Sequence, residues 1–323
     1  MEKITEKSTF GQIHDLPEFQ GVADYIVPVA GEQGQQMANV PLSFFTQYGW
    51  SPEAMACGFS RLQEICIQGK KIYHPLYEKA ELEEHPELCE RYLIHFAVEK
   101  KTRFIVTCSG GAYIGAASMI EGFPTCEEIN ALGYHAFTLN YRAGINAKAP
   151  NPIEDLAIAI KYILAHAEEL NVDIEKYAIG GFSAGGHLAA CFGTESLGWK
   201  KYMVPKPGAV ILAYPVISMQ DYTHEDSRKN LLQEAADDIT MQKRYSVEEQ
   251  VTPEYPPVYV WQCSKDNTVP IENTKLLVRA LKEQRVPYHY QTFDSEWHGW
   301  GCGKGTIAAG WVKEAVEFWE QNS

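Results

Sequence analysis

The stretch Ala178–Ala190, AIGGFSAGGHLAA, decides how the rest of the chain is read. A short apolar run of β character leads into a serine set among small residues, and a run suited to a helix leads out. Gly181-Phe182-Ser183-Ala184-Gly185 fits the pattern G-x-S-x-G, which marks a nucleophile elbow when it joins a strand to a helix. The logic is steric. A serine on so tight a turn takes up strained backbone dihedrals, and side chains at the flanking positions would collide, so those positions must be small. The turn lifts the hydroxyl above the sheet, and the helix that follows aims its free amides toward it.

A serine hydroxyl is a weak nucleophile until a histidine takes its proton and a carboxylate orients that histidine. Both partners follow Ser183 in the order serine, acid, histidine. The run VYVWQCSKDNTVP passes from a strand into a polar turn with Asp266 at its tip, and YHYQTFDSEWHGWG ends another strand before His298. Asp294 and Glu296 are rival acids, but they lie at the wrong strand end. Acyl transfer also needs amides for a tetrahedral oxyanion. Ala184 supplies one, directly after the nucleophile. Gly110 and Gly111, after the strand-like run RFIVTC, allow a turn whose amides face inward. Tyr113, Trp297 and Trp300 are candidate pocket-lining aromatics. His187 reads as a packed, hydrogen-bonded residue on a helix leading away from the site, and Arg142 as the structural partner of a carboxylate.

Outward from the elbow, strand-like and helix-like runs alternate. KIYHPLYE and RYLIHFAVE read as an antiparallel opening pair, followed by strands in RFIVTCS, YHAFTLNY, KYAIGGFS, AVILAYPV, PVYVWQC and YHYQTF. NPIEDLAIAIKYILAHAEEL is the clearest helix, with Leu156, Ile160, Ile163 and Leu164 on one face and Asn151 and Pro152 as start signals. This alternation predicts an α/β fold with a mostly parallel sheet covered on both faces. Residues 1–69 read as an N-terminal helical accessory segment, and residues 70–323 as the catalytic domain. The polar insertion Ser218–Tyr255 is expected at the carboxyl edge of the sheet, over the site.

The bulk properties agree with a folded globular protein. Of 323 residues, 45% are hydrophobic and 12% aromatic, which argues against disorder. A formal net charge of −14 repels phosphate backbones and anionic lipid, so nucleic acid and membranes are not expected partners. Charged and polar residues are spread through the first thirty residues, so no signal-peptide apolar region or spanning helix is expected there, and a cytoplasmic location is expected. The eight cysteines lack C-x-x-C pairs, so neither a metal site nor a disulfide framework is expected. Homo-oligomerisation is left open by the sequence.

The stretches SGGAY, LNYR, IEDLAIAIKYI, GGFSAGGHLAA, YSVEEQVTPEYPPVYVWQCSKDNTVPIENT and EWHGWG together resemble the α/β-hydrolase esterases. The resemblance is to the acetylesterase and carboxylesterase branch, which includes acetylxylan-esterase-like proteins and relatives of the hormone-sensitive lipases, and it runs from about Tyr92 to the C-terminus. It implies the α/β-hydrolase fold, a Ser183–His298–Asp266 triad, a small-molecule ester substrate with a short acyl group such as acetyl, and no cofactor. The family's glycine motif usually reads H-G-G-G or P-G-G-G before an aromatic. Here Ser109 and Ala112 depart from it. The first ninety residues carry no transferable motif and are read as a segment that narrows the pocket. A peptidase on the same fold and a non-catalytic receptor are the alternative readings.

Overall fold

In the computed structural model, which describes residues 3–29, 31–88 and 91–323, the strand-like runs assemble into one eight-stranded sheet. The strands are β1 (Tyr73–Pro75), β2 (Tyr92–Phe96), β3 (Phe104–Cys108), β4 (His135–Asn140), β5 (Ala178–Phe182), β6 (Ala209–Ala213), β7 (Val258–Cys263) and β8 (Tyr288–Phe293). Their order across the sheet is β1-β2-β4-β3-β5-β6-β7-β8. β2 pairs antiparallel with β1 and β4, and every later pairing is parallel. The predicted α/β architecture is therefore the observed one.

The central strands β3, β5, β6 and β7 are buried along their whole length, which is why they read as continuous apolar runs. Alternate side chains supply two cores. Phe104, Val106 and Cys108 face a core shared with the helices Asn151–Ala165, Ser183–Phe192 and Glu272–Glu283. Ile105, Ala178, Phe182 and Trp261 face a second core with the helices Pro52–Ile67, Gly122–Ala131 and Trp311–Asn322. The edge strand β8 is largely exposed or half-buried, as expected where one flank has no neighbour.

The N-terminal segment is mainly helical, with Phe10, Ile13, Phe19, Leu42, Met55, Phe59 and Leu62 buried in the second core. Phe59 meets Phe123 edge-on at 5.6 Å, so this segment forms part of the layer on that face of the sheet. The helix expected over 151–170 ends at Ala165, where the Tyr162 carbonyl accepts the His166 amide at 3.0 Å and lies 2.8 Å from His166 Nδ1. Cys57, Cys66, Cys108, Cys126, Cys191, Cys263 and Cys302 are free thiols, and Cys89 lies outside the described residues. Among the described residues no helix is long and apolar enough to cross a membrane, and no group of three or more His, Cys, Asp or Glu could hold a metal ion.

Candidate active site

Ser183 opens the helix Ser183–Phe192 directly after β5, with φ of 50°, a left-handed value that L-residues rarely adopt. The turn closes because the residues two positions before and after the serine have no side chains. A Cβ on Gly181 would come within 2.1 Å of the Gly185 carbonyl oxygen, and one on Gly185 within 2.2 Å of the Cys108 carbonyl oxygen. The strained serine and its two crowded glycines form the elbow expected from sequence.

The other expected side chains converge on this serine. Ser183 Oγ lies 2.8 Å from His298 Nε2, and His298 Nδ1 lies 2.8 Å from Asp266 Oδ2. Asp266 occupies the turn after β7. Its Oδ1 accepts hydrogen bonds from the amides of Thr268 and Val269, both at 2.9 Å, and its Oδ2 also accepts from Gln262 Nε2 at 3.0 Å. Gln262 is fixed in turn by bonds to the Val269 carbonyl and the Thr274 hydroxyl. With the aspartate held on three sides, its remaining lone pair orients the imidazole. The rival Asp294 pairs with Lys265 on the surface.

The Gly110–Gly111 loop reaches the serine, but one amide points elsewhere than expected. Gly110 N–H donates to Glu121 Oε2 at 2.6 Å, so it is not free for an oxyanion. Gly111 has a φ of 127°, which turns the chain at this point, and a Cβ on Gly110 would come 2.9 Å from Ser183 Cβ. Gly110 thus gives room beside the nucleophile, while Gly111 and Ala184 carry the remaining expected amides.

The aromatics divide. Tyr113 is 1% exposed, and its hydroxyl meets His187 Nδ1 at 2.8 Å, so it belongs to the core and does not line an open pocket. Trp300 is buried too, and stacks on Trp261 with ring centroids 6.3 Å apart. Trp297, 48% exposed beside His298, is the one of the three facing solvent. A Cβ on Gly49 would touch its ring at 3.2 Å, so the N-terminal segment reaches the rim of the site. His187 is fully buried, and its Nε2 lies 2.7 Å from the Tyr245 carbonyl, the packed role expected of it. Arg142 holds the buried Asp155 through Nε at 2.9 Å, also as expected.

The insertion 218–255 lies at the carboxyl edge. Asn230 Nδ2 donates to the Ala112 carbonyl at 2.9 Å, and the pKa of His224 is lowered by burial and by the nearby positive charge of His298. Two residues that the sequence reading passed over belong to the site. Glu121, 3% exposed, accepts from Gly110 and from the hydroxyl of Tyr214, and Tyr214 stands edge-on to the His298 ring at 5.0 Å. Glu121 precedes a helix in IEGFP, where an acidic residue reads as ordinary helix-start charge, so no local signal marks its return to Gly110.

Comparison with known proteins gives a consistent picture. The sequence model of the BD-FAE family matches residues 93–281. The chain is 35% identical over 211 residues to endo-1,4-beta-xylanase B of Butyrivibrio fibrisolvens, covering 62% of this chain and 33% of the relative. It is 29% identical over 205 residues to an acetylxylan esterase of Xylanibacter ruminicola, covering 62% of this chain and 42% of the relative. It thus spans well under half the length of either. Among solved structures, an acetyl ester-xyloside bifunctional hydrolase from Caldicellulosiruptor lactoaceticus superposes with a TM-score of 0.69 at 31% identity, covering 77% of this chain and 95% of that one.

Proposed function

This chain belongs to the BD-FAE family of α/β-hydrolase proteins, and on that premise we propose that it is a serine hydrolase of carboxylic esters with short acyl groups. The observation that carries the reading is the unbroken line Ser183 Oγ–His298 Nε2–His298 Nδ1–Asp266 Oδ2, with 2.8 Å at both hydrogen bonds. Names of relatives and structural neighbours that include acetylxylan esterase and acetyl ester-xyloside hydrolase support ester cleavage and the acetyl preference.

In this reading His298 takes the Ser183 proton as Oγ attacks the ester carbonyl, and Asp266 steadies the imidazolium that forms. The oxyanion is held by the amides of Ala184, at the start of its helix, and Gly111. His298 returns its proton to the leaving alcohol, then activates the water that releases the acid from the acyl-enzyme. Residues 70–323 carry this chemistry. Residues 1–69 narrow the alcohol side, where Gly49 lies against Trp297.

Initial rates on p-nitrophenyl acetate, butyrate and octanoate test the reading. It expects acetate and butyrate to be turned over faster than octanoate. Faster cleavage of octanoate would overturn the short-acyl assignment, and an aminoacyl amide cleaved as fast as the esters would favour a peptidase.

A further inference from the structure

One buried carboxyl stands beside the serine–histidine–aspartate line without belonging to it. Glu121 ends the loop that opens at Ser109, and the loop is drawn shut by Ala117 N–H donating to the Gly110 carbonyl at 3.0 Å. Glu121 Oε2 accepts from the Gly110 amide at 2.6 Å, and its Oε1 accepts from the Tyr214 hydroxyl at 2.9 Å. That hydroxyl accepts in turn from the Gly301 amide at 3.1 Å, on the loop that carries His298. Tyr214 is itself held with a φ of 40°, and its ring packs so closely on Gly299 that a Cβ there would come within 2.3 Å.

We propose that Glu121 is a positioning residue: its carboxylate ties the loop beside Ser183 to the loop carrying His298, and so fixes the spacing of nucleophile, oxyanion amides and base. The inference rests on the serine-hydrolase reading above. Both partners of Glu121 are donors, so the ionised carboxylate satisfies both. A protonated carboxyl must aim its O–H at a donor. Tyr214 would then accept that O–H as well as the Gly301 amide and have to turn its own proton away, so a charge-assisted bond is exchanged for a neutral one of reversed direction and the buried phenolic proton loses its acceptor.

Burial raises the Glu121 pKa to about 7, against the opposing pull of the Gly110 and Tyr214 hydrogen bonds and the charge of His298. The carboxyl therefore passes from donor to charged acceptor toward Tyr214 around neutral pH. The titratable groups facing it among the described residues are His298, Tyr214 and Tyr141, with Cys302 beyond Tyr214. Burial pushes both tyrosines and the thiol up, away from neutrality.

The test compares kcat and KM on p-nitrophenyl acetate from pH 5.5 to 9 for wild type, Glu121→Gln, Glu121→Ala and Tyr214→Phe, with melting temperatures alongside. At pH 8.5 Glu121→Gln and Tyr214→Phe should lose about 10- to 100-fold in kcat with KM nearly unchanged, the scale of a small misplacement of reacting groups. The Glu121→Gln deficit should shrink below pH 6, where the wild-type carboxyl is itself protonated. A Glu121→Gln enzyme with wild-type kcat throughout, or with one constant deficit at every pH, would overturn the proposal. If Glu121→Ala does not fold, the two conservative variants carry the test. A wild type inert toward esters would instead count against the esterase reading, and rates of Ser183 labelling by a serine-reactive phosphonate would then compare the same variants.

Discussion

Ser183 Oγ and His298 Nε2 meet at 2.8 Å although 115 residues separate them in the chain. The contact is produced by strand ends at the carboxyl edge of the sheet, β5 for the serine and β8 for the histidine, with β7 between them delivering Asp266. A reaction centre assembled in this way depends on the elbow, on the acid and on the loops between them, and each can be perturbed separately.

The elbow should tolerate no side chain at Gly185. A Cβ there would come 2.2 Å from the Cys108 carbonyl oxygen and 2.3 Å from that of Ser109, both backbone atoms that cannot move aside cheaply. Gly185→Ala should destabilise the fold by about 3 kcal/mol or more, at the severe end for a single overpacking change. Urea unfolding with wild-type stability would contradict the steric account of the turn.

Asp266→Asn should leave the fold intact and lower kcat by about 10³- to 10⁴-fold, because the amide favours the wrong imidazole tautomer. The side chain is nearly isosteric, so circular dichroism should be unchanged. A loss below about tenfold would mean that another group orients His298.

Stability should fall as the solution is acidified from about pH 6.5 toward 4. Burial lowers the pKa of His74, His135 and His187 to about 4 each, and holds that of His95 well below its usual value. The unfolded chain therefore binds more protons than the folded one in this window, so stability is present above the window and lost on descent. Glu121 acts in the opposite sense. Its pKa, raised to about 7, makes the folded state the better proton binder between about 4.5 and 7, so its own contribution declines as pH rises. Urea midpoints at pH 5 and pH 7 should show the histidine trend in wild type, and an even steeper dependence in Glu121→Gln.

Trp297→Ala should raise KM for aryl and alkyl esters several-fold while leaving kcat nearly unchanged, since the exposed ring borders the site without touching the proton-transfer line. An equal fall in kcat would instead assign Trp297 to the positioning of His298.

What the sequence discloses follows from where its constraints lie. β3, β5, β6 and β7 are buried on both faces, so each had to be a predominantly apolar run, and the elbow had to carry glycine at 181 and 185. Asp266 is legible because it closes one such run, and His298 because it follows the next strand in the order serine, acid, histidine. Tyr113, Trp300 and Glu121 are settled by packing between distant segments. The Tyr113 hydroxyl finds His187, the Trp300 ring finds Trp261, and Glu121 folds back on Gly110, and no local pattern encodes any of these choices. The N-terminal layer was similarly opaque, because its apolar residues pack on the sheet and do not repeat a motif of their own.

The most direct test of the central claim is the hydrolysis of p-nitrophenyl acetate by wild type and Ser183→Ala, with matched circular dichroism. The account predicts turnover by wild type and a loss of about three orders of magnitude or more in the variant, as removal of a triad nucleophile entails. A variant as active as wild type would contradict it, and so would a wild type that neither cleaves the ester nor is labelled at Ser183 by a serine-reactive phosphonate.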